Sequence, residues 1–178
     1  QELLARIGVE DFKTLSLDID ESYPEGLSPE DTVRYIAKKK CDAAAALCAP
    51  DDLIITADTM VFLGNDRLGK PRDEEDALRM LRELAGRAHT VCTGVSVRRG
   101  AQEERFAVST RVFFRPMTDD EIRAYIKTGE PMDKAGAYGV QSRGALFVER
   151  IDGDFFNVMG LPVEQLGLVL ARFGVKLL

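Results

Sequence analysis

The chain has 178 residues, 45% of them apolar, and a net charge of −6 at pH 7, which suits one domain of ordinary size with an ordinary core. The acidic balance argues against a surface built for polymeric nucleic acid or anionic membrane, although local cations and a metal still suffice for a small phosphorylated ligand. No apolar stretch reaches transmembrane length, and no secretory signal is visible.

Glu2 to Ile7 reads as helix, and since the chain opens at Gln1 inside that pattern, residues are expected to precede it. Phe12 to Leu17 reads as a short strand, followed by the acidic run Asp18-Ile19-Asp20-Glu21. Ser28-Pro29-Glu30-Asp31 starts a helix: a serine cap, proline in the first turn, and acids at the positive dipole end. That helix is expected to reach about Leu47, with Val33, Ile36, Ala37, Lys40, Ala44 and Leu47 along one broad face. Leu53 to Leu63 is rich in β-branched residues and reads as a buried strand, with Gly64 to Arg67 as a hairpin turn.

Asp73-Glu74-Glu75-Asp76 opens a second helix ending at Gly86, with Leu78, Leu81, Leu84 and Ala85 facing the core. His89 to Val97 and Arg105 to Arg115 read as two strands around a turn at Arg98-Arg99-Gly100. Thr118-Asp119-Asp120-Glu121 fits a capping box for a helix through about Lys127. Asp133 to Gln141 is compact and glycine-rich, Ala145 to Ile151 reads as a strand, and a closing helix runs from Leu161-Pro162-Val163 to about Arg172. Paired strands mixed with single crossovers indicate an α/β fold with a mixed sheet. Cys41, Cys48 and Cys92 show no C-x-x-C spacing and read as reduced core or near-core thiols of a cytoplasmic protein. A catalytic cysteine would have only His89 to pair with, and nothing in the sequence supports that pair.

The chemistry is concentrated in a few places. Asp58 interrupts a near-continuous apolar strand, where an acid is costly unless a cation, a metal or several donors meet it. Lys40 falls on the apolar face of its helix, where a cation needs an anion. Lys70 follows a glycine just after the hairpin, and Asp133 to Gln141 mixes charge, glycine and an aromatic too densely for a plain connector. Asp20, Glu21 and Asp58 with Lys40 and Lys70 make a sensible set for metal-assisted phosphoanhydride hydrolysis. Carboxylates hold a hard cation, lysines neutralise phosphate, and one carboxylate takes a proton from attacking water. No G-x-x-x-x-G-K-[ST] loop and no G-x-S-x-G elbow is present.

The chain resembles the Maf family of nucleotide pyrophosphatases, the septum-formation-inhibitor-like proteins. The resemblance rests on Glu2-Leu3-Leu4, Asp18 to Glu21, Ala37 to Cys41, Ala57-Asp58-Thr59, Gly69-Lys70-Pro71, His89 with Thr93-Gly94-Val95, Gly129-Glu130-Pro131, Asp133 to Gln141 and Asn157 to Pro162, in the family's order. It implies a single domain over residues 1–178 with an elongated, curved mixed sheet flanked by helices. It also implies two lobes around a cleft, similar to inosine-triphosphate pyrophosphatases. It implies hydrolysis of a nucleoside triphosphate to the monophosphate and pyrophosphate with a divalent cation, Mg²⁺ or Mn²⁺. In this reading Asp58 is the general base, Glu21 assists at the metal or water, and both are metal ligands. Lys40 and Lys70 hold the triphosphate, while Thr59 and Gln141 select the base. Thr after the catalytic Asp resembles the subgroup acting on dTTP and UTP, where the 7-methyl-GTP subgroup usually carries Gln. A cytoplasmic house-cleaning homodimer is the family expectation. The family's N-terminal strand and its Ser-x-Ser-Pro-Arg-Arg loop are expected just before Gln1, and a natural chain without that loop is expected to turn over weakly or not at all. The alternatives are a non-catalytic nucleotide-binding regulator of cell division, or the same reaction on 7-methyl-GTP or inosine triphosphate.

Overall fold

The computed structural model describes residues 1–178. The chain runs α1 (Glu2–Arg6), α2 (Pro29–Ala45), β1 (Ile54–Leu63), β2 (Asp66–Leu68), α3 (Glu74–Leu84), β3 (Ala88–Arg99), β4 (Gln102–Phe114), α4 (Asp119–Ile126), β5 (Val148–Asp152), α5 (Phe155–Val158) and α6 (Val163–Arg172), with three short 3₁₀ turns between α4 and β5. The strands form one sheet in the order β2-β1-β3-β4-β5. β1 pairs antiparallel with β2, with Val61 opposite Leu68, and β4 pairs antiparallel with β5, with Val112 opposite Ile151. The α/β architecture expected from the punctuation of the chain is therefore present.

Local chemistry explains the helix starts. Ser28 Oγ accepts the Asp31 amide at 3.1 Å and Pro29 occupies the first turn of α2. Asp73 accepts the Asp76 amide at 2.8 Å to start α3. At α4 the capping box is complete: the Glu121 amide donates to Thr118 Oγ1 at 3.3 Å, and the Thr118 amide donates to Glu121 Oε2 at 2.8 Å.

Two compact units divide the chain. The first gathers Gln1–Asp58, Thr93–Val108 and Gly160–Leu178. Its buried residues include Val33, Ile36, Ala37 and Cys41 of α2, Val95 and Val97 of β3, and Leu166, Val169 and Leu170 of α6. α2 lies directly on β3 because Gly94 has no side chain. A Cβ there would meet the Val33 carbonyl carbon at 2.3 Å and the Arg34 nitrogen at 2.6 Å. The second unit gathers Thr59–Cys92 and Ser109–Met159. Its core packs Leu78, Leu81 and Leu84 of α3 with Val61, Val91, Phe114, Ile122, Tyr138 and Phe147.

Three expectations change. Residues 12–17 are not a strand. A strand requires a neighbour for its backbone groups, and this segment pairs with none; Phe12 and Leu15 instead line a cavity of about 320 Å³ together with Ile54 and Ile55. In β1, Ile54 to Thr59 are half-buried, and only Met60 to Leu63 are fully so. The strand expected from Ala145 starts at Val148, after a 3₁₀ turn over Arg143–Phe147. Leu47 lies beyond the end of α2 and is exposed. The three cysteines are free thiols. No helix is long and apolar enough to cross a membrane.

Candidate active site

In the first unit, α2 and β1 are joined by two matched contacts. Thr56 and Asp58 are two apart on a strand and so project to the same face, while Ala37 and Lys40 are three apart on a helix and share a side. Thr56 Oγ1 donates to the Ala37 carbonyl at 2.7 Å, and Lys40 Nζ donates to Asp58 Oδ1 at 2.7 Å. The acid inside the strand thus meets the lysine on the apolar helix face, each answering the other's burial.

Lys40 Nζ also lies 2.9 Å from Glu21 Oε1. The Asp58 side chain is 10% exposed, that of Lys40 24% and that of Glu21 48%, so the trio grades from interior to solvent. Burial is the largest single influence on Lys40 and works to lower its pKa. The bonds to Asp58 and Glu21 together outweigh it and hold the ammonium above its ordinary value. The neighbouring lysine steadies the loop that presents Glu21: Lys39 Nζ donates to the Ser22 carbonyl at 3.0 Å and lies 3.4 Å from Asp20 Oδ2. Asp20 is turned toward Ser22, whose amide it accepts at 2.9 Å.

No group of three or more His, Cys, Asp or Glu side chains is gathered for a metal ion. Two carboxylates, those of Asp58 and Glu21, do converge on a single cationic nitrogen. That donor set fits a magnesium-like ion, which is commonly bound by one or two carboxylates, with substrate phosphate and water as its other ligands.

Thr59, Lys70 and Gln141 belong to the second unit. Thr59 is half-buried in β1, and Lys70 and Gln141 are exposed. The loop carrying Lys70 is tied to the glycine-rich segment, because the Gly136 amide donates to the Gly69 carbonyl at 3.0 Å. Asp133 is held below the usual carboxylate range, first by its hydrogen bond from Lys134 and further by the nearby charge of Lys70. Gly136 has φ +70°, and a Cβ there would meet Val61 Cγ1 at 3.0 Å. Its neighbour Ala137, fully buried at φ +60°, carries left-handed strain of about 1–3 kcal/mol.

Behind this segment His89 and Tyr138 share a hydrogen bond of 2.8 Å, with Phe114 edge-on to both rings. Burial alone pushes the His89 imidazole down to about 4, and burial, with a smaller push from Tyr125, raises the Tyr138 phenol. His89 is therefore a neutral, packed group and not the partner of a catalytic thiol. The sequence reading placed Glu130 in a motif without seeing what it does. It accepts the Tyr125 hydroxyl at 2.8 Å, the Ser142 hydroxyl at 2.6 Å, and the amides of Arg143 and Gly144 at 3.2 Å.

Comparison with known proteins gives one consistent answer. A sequence model described as Maf-like protein matches residues 1–173. A dTTP/UTP pyrophosphatase of Bacillus velezensis is 48% identical over 93% of this chain and 87% of that protein. Those of Dictyoglomus turgidum, at 45% over 99% and 92%, and Pelotomaculum thermopropionicum, at 43% over 100% and 93%, carry the same name. The chain belongs to the Maf family of nucleotide pyrophosphatases.

Proposed function

We propose that this protein hydrolyses dTTP and UTP, each to its monophosphate and pyrophosphate. The convergence of Glu21 and Asp58 on Lys40 Nζ carries the reading, supported by relatives of 43–48% identity that bear the name dTTP/UTP pyrophosphatase. Asp58 acts as the general base. Its carboxylate takes a proton from water as the water oxygen bonds to the α-phosphorus, and the bond to the bridging oxygen breaks with its electron pair leaving on pyrophosphate. At 10% exposure the side chain leaves little room for water, which restricts how the attacking water sits. Glu21, nearer solvent, orients the water or accepts a hydrogen bond from it.

Lys40 carries its positive charge through the neutral range, so it counters the carboxylates before substrate arrives and phosphate oxygens afterwards. Lys70, exposed on its loop, neutralises further triphosphate charge. Asp58 and Glu21 would hold a divalent cation, Mg²⁺ or Mn²⁺, which would supply Lewis-acid polarisation of the phosphate oxygens. Thr59 and Gln141 read the base. The protein works in the cytoplasm as a homodimer, with the nucleotide as its partner and no role for polymeric nucleic acid or membrane.

The test is pyrophosphate release from dTTP and UTP in the presence of Mg²⁺, for the parent chain and for Asp58→Asn. The parent is expected to turn over and the variant to lose about 10²–10⁴-fold in kcat with its fold retained. A folded variant with near-parent rate removes Asp58 from the base role, and a parent inert on both nucleotides overturns the activity.

A further inference from the structure

We infer that Glu130 is a specificity-determining positioning residue: its carboxylate closes the 139–144 loop and thereby fixes where Gln141 stands against the base. The inference deepens the proposed pyrophosphatase reading and rests on it for the role of Gln141.

The loop is closed at its base by direct contact. A Cβ on Gly144 would meet the Gly139 carbonyl oxygen at 2.6 Å and the Tyr125 hydroxyl at 2.8 Å. A Cβ on Gly139 would meet Ser142 Oγ at 2.9 Å. Glycine is required at 144 because the Gly139 backbone and a hydroxyl already fill the space, whereas at 139 the neighbours are the Ser142 hydroxyl and the Lys134 side chain. Gln141 stands exposed near the middle of the loop, while Gly139 and Gly144 are buried.

One carboxylate organises all of this. Glu130 Oε1 accepts from Tyr125, Ser142 and the Gly144 amide, and Oε2 accepts from the Arg143 amide. Tyr125 extends the reach of the carboxylate, since its hydroxyl donates to Glu130 and accepts the Gly139 amide at 3.2 Å. The two ends of the loop are therefore held by the same acid, one directly and one through a phenol. Charge-assisted bonds of this kind are about twice as strong as neutral ones. Glu130 itself is carried by the 3₁₀ turn Glu130–Asp133 after α4, outside the loop that it holds.

The chemistry of the base makes position decisive. A glutamine amide has an acceptor at one end and donors at the other. Uracil offers N3–H as donor and O4 as acceptor, whereas cytosine offers the reverse pair. An amide free to move and turn serves both bases, so preference for UTP over CTP requires that Gln141 be held. The Glu130 contacts hold its backbone on both sides.

The experiment uses the whole chain and compares parent, Glu130→Ala and Glu130→Gln. Two quantities are read: the ratio of kcat/KM for UTP to that for CTP, and hydrogen exchange at the amides of Gly139, Arg143 and Gly144. Glu130→Ala is expected to speed exchange at those amides while α3 and β3 stay protected, and to lower the UTP-to-CTP ratio about tenfold. Glu130→Gln keeps an acceptor for Tyr125, Ser142 and Gly144, and is expected to restore most of both. If both nucleotides lose rate equally and the ratio stands, the specificity role is overturned although the activity reading survives. Unchanged exchange at Arg143 and Gly144 overturns the clamp whatever the activity. A parent that turns over neither UTP nor dTTP overturns the underlying activity, and the specificity role falls with it.

Discussion

The contact most worth perturbing is Lys40 with Asp58, because it is the physical reason for an acid in the middle of β1. Lys40→Met keeps the aliphatic stem and removes the charge. The lost bond to Asp58 is 2.7 Å long between groups 24% and 10% exposed, and a charge-assisted hydrogen bond of that kind contributes about 1.5–3 kcal/mol. The bond to Glu21 is 2.9 Å, but Glu21 is 48% exposed, which limits it to about 0–1 kcal/mol. Lys40→Met is therefore expected to destabilise the protein by about 3 kcal/mol at pH 8. A double-mutant cycle with Asp58→Asn isolates the pair and is expected to give a coupling of about 2 kcal/mol. Urea unfolding followed by far-UV circular dichroism suits a chain without tryptophan. The pH dependence supplies a second check. Since the folded-state pKa of Lys40 is raised above 10.5, its contribution is fully present below about 10.5 and is lost only as pH rises through the higher value. The alkaline fall in stability should thus be shallower in the methionine variant. A coupling below about 0.5 kcal/mol would refute the view that these two residues answer each other's burial.

Two further outcomes follow from single residues. His89 has its folded pKa pushed down to about 4 from 6.5 by burial. The unfolded chain binds the extra proton first, so stability falls as pH drops from 6.5 toward 4, by about 3 kcal/mol in all, and levels below that. His89→Gln should flatten this acid limb in unfolding curves taken between pH 4 and 7; an identical limb in the variant assigns it to other groups. Gly94→Ala places a Cβ 2.3 Å from the Val33 carbonyl carbon, and only backbone movement of α2 relieves it. A loss of about 3 kcal/mol or more is expected, with turnover reduced because α2 carries Lys40. A thermal midpoint within a degree of the parent would mean that α2 does not press on β3.

What the sequence disclosed divides along a physical line. Ser28-Pro29-Glu30-Asp31 and Thr118 to Glu121 were readable as helix starts because a cap is made among residues three apart. The mutual need of Lys40 and Asp58 was readable because each is a charge on an otherwise apolar face. Glu21 was named together with Asp20, and only the resemblance chose between them; in an acidic run composition alone does not say which carboxylate turns inward. Phe12 to Leu17 has the composition of a strand but no strand beside it, and pairing is a tertiary property. The four-residue helix Phe155–Val158 is too short to show a period.

Glu130 shows why the rest stayed hidden. Its partners are two backbone amides and two hydroxyls, and backbone donors leave no trace in a list of side chains. Gly129-Glu130-Pro131 carries part of the family resemblance, but nothing in its sequence says what the carboxylate holds. Only the fold reveals that burial, which by itself raises the Glu130 pKa, is more than offset by Ser142, Tyr125 and the two amides, so that the carboxyl stays ionised below its usual value. Glu130 and Asp58 differ in their partners. Asp58 faces Lys40, whose charge a phosphate can also attract and with which a metal cation would compete for the carboxylate, so Asp58 is suited to change partners. The partners of Glu130 belong to its own chain, which suits a residue that holds a loop still.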